Sequence, residues 1–401
     1  MRDVEAGLAR LAGIANDRVL PAALLDLAAL ESNARWLLTQ AGDKRIRIVT
    51  KSVRCVEALR FLQGLDDRFA GLMCFDATEA CWLSTRGFSD LLVAYPCTDE
   101  SVLAQVCEFV AAGADITLMV DSLVHLEMIE SAAASRNVTV AVCLDIDMST
   151  PFGPLWFGVR RSPLRQWEQV RPLLDRIAAS DELKLAGVMG YEAQIAGIPD
   201  RTQGKRLQNL AVPRLKALAW PWIQQRRNRV IDAIVERGER LDFVNGGGTG
   251  SIQRTAADPS VTEIAVGSGF FAPHLFDGYS NLDLRPAALF ATRVVRSSDP
   301  GWVTVAGGGY VASGAPGWDR QPWPAWPPGL ALDDNEGAGE VQTPLQVTGA
   351  ASVTPKTGEP VLFRHAKAGE LCERFNQLLA IDSKGDVLSW GTYRGDGQCF
   401  L

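Results

Sequence analysis

The chain has 401 residues, of which 47% are hydrophobic and 22% charged, and its formal net charge is -7. These values describe a globular chain of two domains, and the acidic balance argues against a nucleic-acid or anionic-membrane partner. No run of eighteen uncharged apolar residues occurs and the polar start Met1-Arg-Asp-Val-Glu lacks a signal-peptide core, so a cytoplasmic location is expected.

In chain order, a short polar helix-like segment leads to Leu20-Pro-Ala-Ala-Leu-Leu-Asp26, after which apolar residues recur at helical spacing as far as Leu38. Next comes Arg45-Ile-Arg-Ile-Val-Thr-Lys51-Ser-Val-Arg54, a β-branched run closing on a lysine and passing into helix-like sequence. From there compact apolar runs alternate with amphipathic stretches. Candidate strands fall at 46–50, 71–75, 90–94, 116–120, 138–144, 184–190, 241–245 and 262–266. Eight such units predict an α/β chain whose first part is a closed (β/α)8 barrel of the TIM type.

The intervening helices carry ordinary signals: Thr78 to Gly87 ends on a capping glycine, and Asp121 to Glu130 opens on a capping residue and places His125 within a helix. Two insertions interrupt the rhythm. Asp147 to Pro163 is rich in Pro, Gly and aromatics, and Pro199 to Gly238 contains the basic run Gln224-Gln-Arg-Arg-Asn-Arg229, read as a solvated helix face. Beyond residue 284 the pattern becomes alternating, as in Leu289 to Val295 and Gly301 to Ala306, separated by a long Pro/Gly/Trp loop over 314–329 that is suited to capping a cleft. The expected division is therefore a barrel over 17–283 and a β-rich domain over 284–401, joined by residues 1–16. The eight cysteines show no paired spacing and read as reduced core thiols.

Two stretches carry chemistry. Lys51 ends the first barrel strand, and the C-terminal ends of barrel strands form the rim where active sites stand. An amine desolvated by apolar strand neighbours becomes nucleophilic towards an aldehyde. Asn245-Gly-Gly-Gly-Thr-Gly-Ser251 follows strand seven and Val266-Gly-Ser-Gly-Phe270 follows strand eight. Consecutive glycines let backbone amides converge on an anion, and loops seven and eight are where barrels hold phosphate. An amine at one end and a phosphate cradle at the other describe pyridoxal 5'-phosphate.

With these motifs the chain resembles the alanine-racemase-like, fold type III pyridoxal phosphate enzymes, and within them the D-threonine aldolase and D-serine dehydratase (amino acid deaminase) group. The resemblance rests on Pro21 to Asn33, Val49-Thr-Lys51, Gly187-Val-Met-Gly-Tyr191-Glu-Ala-Gln194, Gly246 to Ser251 and Glu263 to Ser268. It implies a Schiff base on Lys51, phosphate held by Gly247, Gly248, Thr249, Gly267 and Ser268, and Tyr191 and Gln194 beside the cofactor, with Lys51 and Tyr191 as catalytic residues. It also implies a homodimer and a lyase acting on β-hydroxy D-amino acids.

The same resemblance implies a divalent metal, zinc or manganese by ligand type, held by His365 and Cys372, with Glu370 as the alternative to the cysteine. The family pattern spaces its two ligands one residue apart, whereas six residues separate His365 from Cys372. An amino-acid racemase is the alternative activity. Against it, Ala265 stands where alanine racemase has an arginine facing the pyridine nitrogen, and Tyr310 lacks the racemase context of a second base. A non-catalytic cofactor carrier and a cofactor-free barrel hydrolase or aldolase using Lys51 directly on a carbonyl substrate are the remaining alternatives.

Overall fold

Short β-branched runs between amphipathic helices close on themselves in the computed structural model, which describes residues 2–202, 204–297, 299–348 and 354–401. The strands of the resulting parallel barrel are β1 (Arg45–Val49), β2 (Phe69–Cys74), β3 (Leu91–Val93), β4 (Ile116–Val120), β5 (Val140–Asp145), β6 (Leu183–Gly190), β7 (Phe243–Gly246) and β8 (Glu263–Val266). Each pairs in parallel with its neighbour in the chain, and β8 closes the ring on β1 through Glu263 opposite Arg45 and Val266 opposite Ile48. All eight lie within two residues of the sequence expectation, because a strand buried on both faces, such as β4, reads as an unbroken apolar run.

Alternate strand residues, among them Met73, Leu92, Met119, Met189 and Phe243, pack together inside the ring. Beneath them Arg47, only 1% exposed, donates Nε to Glu263 at 2.6 Å and lies 2.7 Å from Asp90. Fixed charges at one end of the barrel leave the other end free for chemistry.

The second unit is a nine-stranded sheet. Its strand Ala22–Asp26 pairs antiparallel with Ala288–Arg296 and parallel with Gln377–Ile381, so these residues lie in the sheet although the sequence reading began the barrel at residue 17. The reason is a crossover no local pattern reveals: one strand enters the sheet, and Asp26 then caps the helix Leu27–Ala41 by accepting the Ala28 and Ala29 amides. The helix Arg2–Asn16 covers the sheet with Leu11, Ala12 and Ala15 against Leu289 and Leu362.

The first insertion forms a hairpin of Thr150–Phe152 and Leu155–Phe157, and the second a 31-residue helix, Arg206–Glu236. The basic run on that helix is a solvated face only in part: Arg229 is exposed, whereas Arg226 and Arg227 turn inward. Arg227 is 1% exposed, donating to Asp258 at 2.6 Å and to the Gly190 carbonyl at 2.9 Å, and Arg226 binds the carbonyls of Asp147 and Ser149. Two buried carboxylates, Asp258 and Glu192, compensate the Arg227 charge, and removing one partner of such a pair costs about 3–5 kcal/mol. Charge periodicity cannot distinguish an arginine facing water from one facing acids contributed by other elements. Among the described residues, no helix is long and apolar enough to cross a membrane.

Candidate active site

β1 ends at Val49 and the chain turns at once through the 3-10 turn Thr50–Ser52. Thr50 Oγ1, fully buried, donates to the Met73 carbonyl at 3.0 Å. On the other side Arg54 donates Nε to the Lys51 carbonyl at 2.9 Å and Nη1 to Glu373 at 2.6 Å, with its guanidinium 5.0 Å from the Phe75 ring. Pinned from both directions, the turn sends the Lys51 side chain into a cavity of about 600 Å³ at the mouth of the barrel. The desolvation by apolar neighbours expected for Lys51 is not what surrounds it. Its side chain is open to the cavity, and its partner is polar: Nζ donates to the Tyr95 hydroxyl at 2.9 Å.

The opposite rim is built from the loops after β7 and β8. Gly247 has φ 79, and a Cβ there would lie 2.8 Å from Ile264 Cγ2 and 3.0 Å from Thr255 Oγ1. A Cβ on Gly267 would lie 2.7 Å from Ser52 Oγ, and one on Gly248 3.1 Å from Ala196 Cβ. Side chains are thus excluded, and the cavity is lined there by backbone and small hydroxyls. Thr249 Oγ1 accepts the Gly269 amide at 3.0 Å and Ser268 Oγ stands 3.3 Å from Ser52 Oγ, which ties the loops after β7, β8 and β1 to one another.

The cradle differs from the sequence expectation at both Gly247 and Gly248. The Gly247 amide donates to Glu192 at 2.8 Å and the Gly248 amide to Ser251 Oγ at 3.1 Å, so both serve the loop's shape and are not turned to a ligand. Glu192 is fully buried and also accepts Thr255 Oγ1 at 2.6 Å, while Arg227 lies 3.4 Å away. The donors left for an anion are the amides of Thr249 and Ser268, which begin short helical turns and have no intrahelical acceptor, and the hydroxyls of Thr249, Ser268 and Ser52. These fit a phosphate, and Lys51 across the same cavity fits an aldehyde, so the residues present suit pyridoxal phosphate.

Lys51, Tyr191, Gly247, Gly248, Thr249, Gly267 and Ser268 all line this one cavity, as do Ala265 and Glu370. Gln194 does not: it is buried, with Nε2 donating to the Met148 carbonyl, and it anchors the first insertion. Tyr310 is outside it as well, packed edge-on against Phe290 and Phe375.

Three contributors escaped the sequence reading. Tyr95 stands just past β3 as Lys51 stands just past β1, a positional signal that was available. Arg161, at the end of the aromatic insertion, lies 5.9 Å from the Tyr95 ring and 6.0 Å from the Tyr191 ring and forms no salt bridge among the described residues. Glu192 was passed over within the quoted motif because its role depends on a loop sixty residues later.

The electrostatics separate the two tyrosines. Burial pushes the Tyr191 phenol up to about 12. Burial acts on Tyr95 in the same sense, but the charge and hydrogen bond of Lys51, with Arg161 adding to them, outweigh it and leave that phenol below its ordinary value.

The residues offered as metal ligands do not converge. Cys372 Sγ donates to the Val53 carbonyl at 3.1 Å in full burial, which pushes the thiol well up and keeps it neutral. His365 is buried with neither ring nitrogen hydrogen-bonded and faces a separate, very small cavity. Glu370 accepts the Ser313 amide and hydroxyl. The residue at the family's ligand spacing from His365 is Lys367, and a protonated amine is no ligand. Among the described residues, no group of three or more His, Cys, Asp or Glu is arranged to hold an ion.

Comparison with known proteins agrees with this geometry. The chain is 23% identical over 253 residues, 63% of its length, to a 3-hydroxy-D-aspartate aldolase of Paracoccus denitrificans, and the match spans 60% of that relative. Its fold is that of a D-threonine aldolase from Filomicrobium marinum, with a TM-score of 0.79 and 21% identity over 95% of this chain and 96% of that one. A D-threo-3-hydroxyaspartate dehydratase from a Delftia species superposes with a TM-score of 0.74 and 20% identity over 94% and 98% of the two chains. The model of the alanine racemase N-terminal domain matches residues 25–271, the stretch that holds Lys51, Tyr191 and both glycine loops, and the chain belongs to that family.

Proposed function

We propose that the chain is a pyridoxal phosphate-dependent lyase acting on D-amino acids with a hydroxyl on the β-carbon. The observation that carries the reading is the Lys51 amine sharing one cavity with a cradle of glycine backbone and small hydroxyls some two hundred residues later in the chain. Bound there, the cofactor supplies an aldehyde that captures the substrate amine and a ring that accepts the electrons of a bond broken at the α-carbon.

The chain's own residues do the rest. The Thr249 and Ser268 amides and hydroxyls hold the phosphate, and Lys51 Nζ attaches the cofactor. Arg161, which forms no salt bridge among the described residues, receives the substrate carboxylate. Tyr95, hydrogen-bonded to Lys51 and lowered from its usual phenol value, is the group that exchanges a proton with that amine. Tyr191, kept protonated by burial, acts as a donor beside the cradle. Ala265 gives the cofactor ring an uncharged neighbour. Among the described residues no ligand set is assembled for the divalent ion that the family resemblance implies, and no step is assigned to it.

Two names among the relatives favour cleavage of the α–β carbon bond and one favours loss of water. Product analysis with D-threonine decides: glycine with acetaldehyde identifies an aldolase, 2-oxobutyrate with ammonia a dehydratase, and L-allo-threonine alone a racemase. Assembly as a homodimer belongs to this reading, supported by the exposed Trp318 and Trp323 near the cavity rim, and light scattering checks it. Eight cysteines, all free, support a reducing, cytoplasmic setting.

A further inference from the structure

The C-terminal domain supplies the cavity wall that the barrel does not, and the proposed function leaves its chemistry unused. The 3-10 turn Gly369–Glu373 lies against the Lys51 turn so closely that a Cβ on Gly369 would overlap the Lys51 carbonyl oxygen. The Cys372 bond to the Val53 carbonyl and the Arg54 pair with Glu373 lock the two turns together. This rigid junction carries Lys367 into the cavity of Lys51.

Lys367 is held there. Its Nζ donates to Ser313 Oγ at 2.8 Å and stands 3.7 Å from Glu370 Oε1, while the Glu370 oxygens are occupied by the Ser313 amide and hydroxyl. An ammonium has three donors. One is bonded to Ser313, and the Glu370 oxygen is too far for a second bond, so donor capacity remains on a side chain that is 39% exposed. The other polar walls already have assignments: the glycine loops to phosphate, and Arg161 with Tyr95 to the substrate carboxylate and amine. The remaining substituent of the substrate is the one on its β-carbon; of the cations left on the cavity wall, Arg54 is paired with Glu373 and Arg320 with Asp319, whereas Lys367 is hydrogen-bonded to a hydroxyl.

We propose that Lys367, oriented by Ser313 and Glu370, binds the oxygen on the substrate's β-carbon and so selects β-hydroxylated D-amino acids over those that lack the hydroxyl. The inference rests on the cofactor reading above. In this chain a side-chain ammonium occupies the cavity position from which an oxygen ligand can be held without any ion.

The test compares D-threonine with D-2-aminobutyrate, which differ only in the β-hydroxyl, by rapid-mixing absorbance titration of the full chain loaded with pyridoxal phosphate. Wild type should bind D-threonine about tenfold more tightly, the scale of one charge-assisted hydrogen bond. Lys367→Met should bring the two affinities together, Lys367→Arg should restore part of the preference, and Ser313→Ala should reduce it without abolishing it. The absorbance of the loaded protein before amino acid is added should be the same in all four. A preference that survives Lys367→Met, one that a chelator removes, or none in wild type overturns the proposal while leaving the cofactor reading intact. A wild type that responds to neither amino acid removes both.

Discussion

Lys51 and Tyr95 act as one unit, because the Tyr95 phenol is lowered by the lysine hydrogen-bonded to it. The ammonium and its hydrogen bond, helped by Arg161, reverse the effect of burial on the Tyr95 phenol, whereas at Tyr191, beside the same cradle, the lowering by Arg161 does not overcome burial, to which Glu192 adds. Tyr95→Phe should lower kcat by roughly ten- to a hundredfold, the usual worth of a positioned acid-base group. It should also abolish an ionisation that lies below pH 10 in the pH dependence of kcat/KM, and Tyr191→Phe should leave that ionisation in place. A Tyr95→Phe enzyme with an unaltered pH profile contradicts the assignment. Lys51 was legible in the sequence because it closes a β-branched run, and Gly247 and Gly248 because they are consecutive. Tyr95 and Arg161 were not: they meet Lys51 only through barrel closure, and neither stands in a motif of its own. Glu370 and Cys372 misled for a related reason, since ligand-type residues close in sequence need not face one point.

At the scale of elements, the site is a seam between the loops after β1, β7 and β8, and glycines set how closely those loops approach. Gly267→Ala would push a methyl against Ser52 Oγ and Val49. It should weaken pyridoxal phosphate binding by at least about tenfold and destabilise the fold by about 1–3 kcal/mol, measured by absorbance titration and thermal unfolding. Unchanged affinity would mean that the seam is not the cradle.

Behind the Lys51 turn, the helix Ala77–Thr85 carries Glu79, buried, with Oε2 accepting the Phe75 amide at 2.7 Å. Burial pushes its carboxyl from 4.5 up to about 7, against the opposing pull of Thr50, the Phe75 amide, Tyr393 and Arg54. Between those two pH values the folded chain keeps a proton that the unfolded chain has released. The stability contributed by Glu79 is therefore greatest below about pH 4.5, declines as pH rises to about 7, and is level above. Relative to Glu79→Gln, wild type should lose roughly 2–3 kcal/mol across that window in urea unfolding. Parallel curves for the two proteins would show that Glu79 ionises in the folded state as it does when unfolded.

For the whole molecule, the barrel and the sheet are interleaved rather than sequential. The strand Ala22–Asp26 belongs to the sheet, the helix that follows it to the barrel, and the turn Gly369–Glu373 returns to clamp the Lys51 turn. The periodicity of the sequence revealed both layers, since barrel strands such as Ile116–Val120 are local apolar runs and sheet strands such as Trp302–Ala306 alternate. It could not reveal the interleaving, which is a property of pairing between residues more than two hundred apart. That interleaving makes the cavity a joint product of both units, with the phosphate cradle and lysine from one and Lys367 and Glu370 from the other. The claim on which everything else depends is the covalent site. Borohydride reduction of the full chain mixed with pyridoxal phosphate, followed by peptide mass analysis, tests it directly. A single reduced cofactor adduct on the peptide containing Lys51, absent in Lys51→Ala, is the predicted result. Labelling at another lysine, or no adduct at all, would contradict the account.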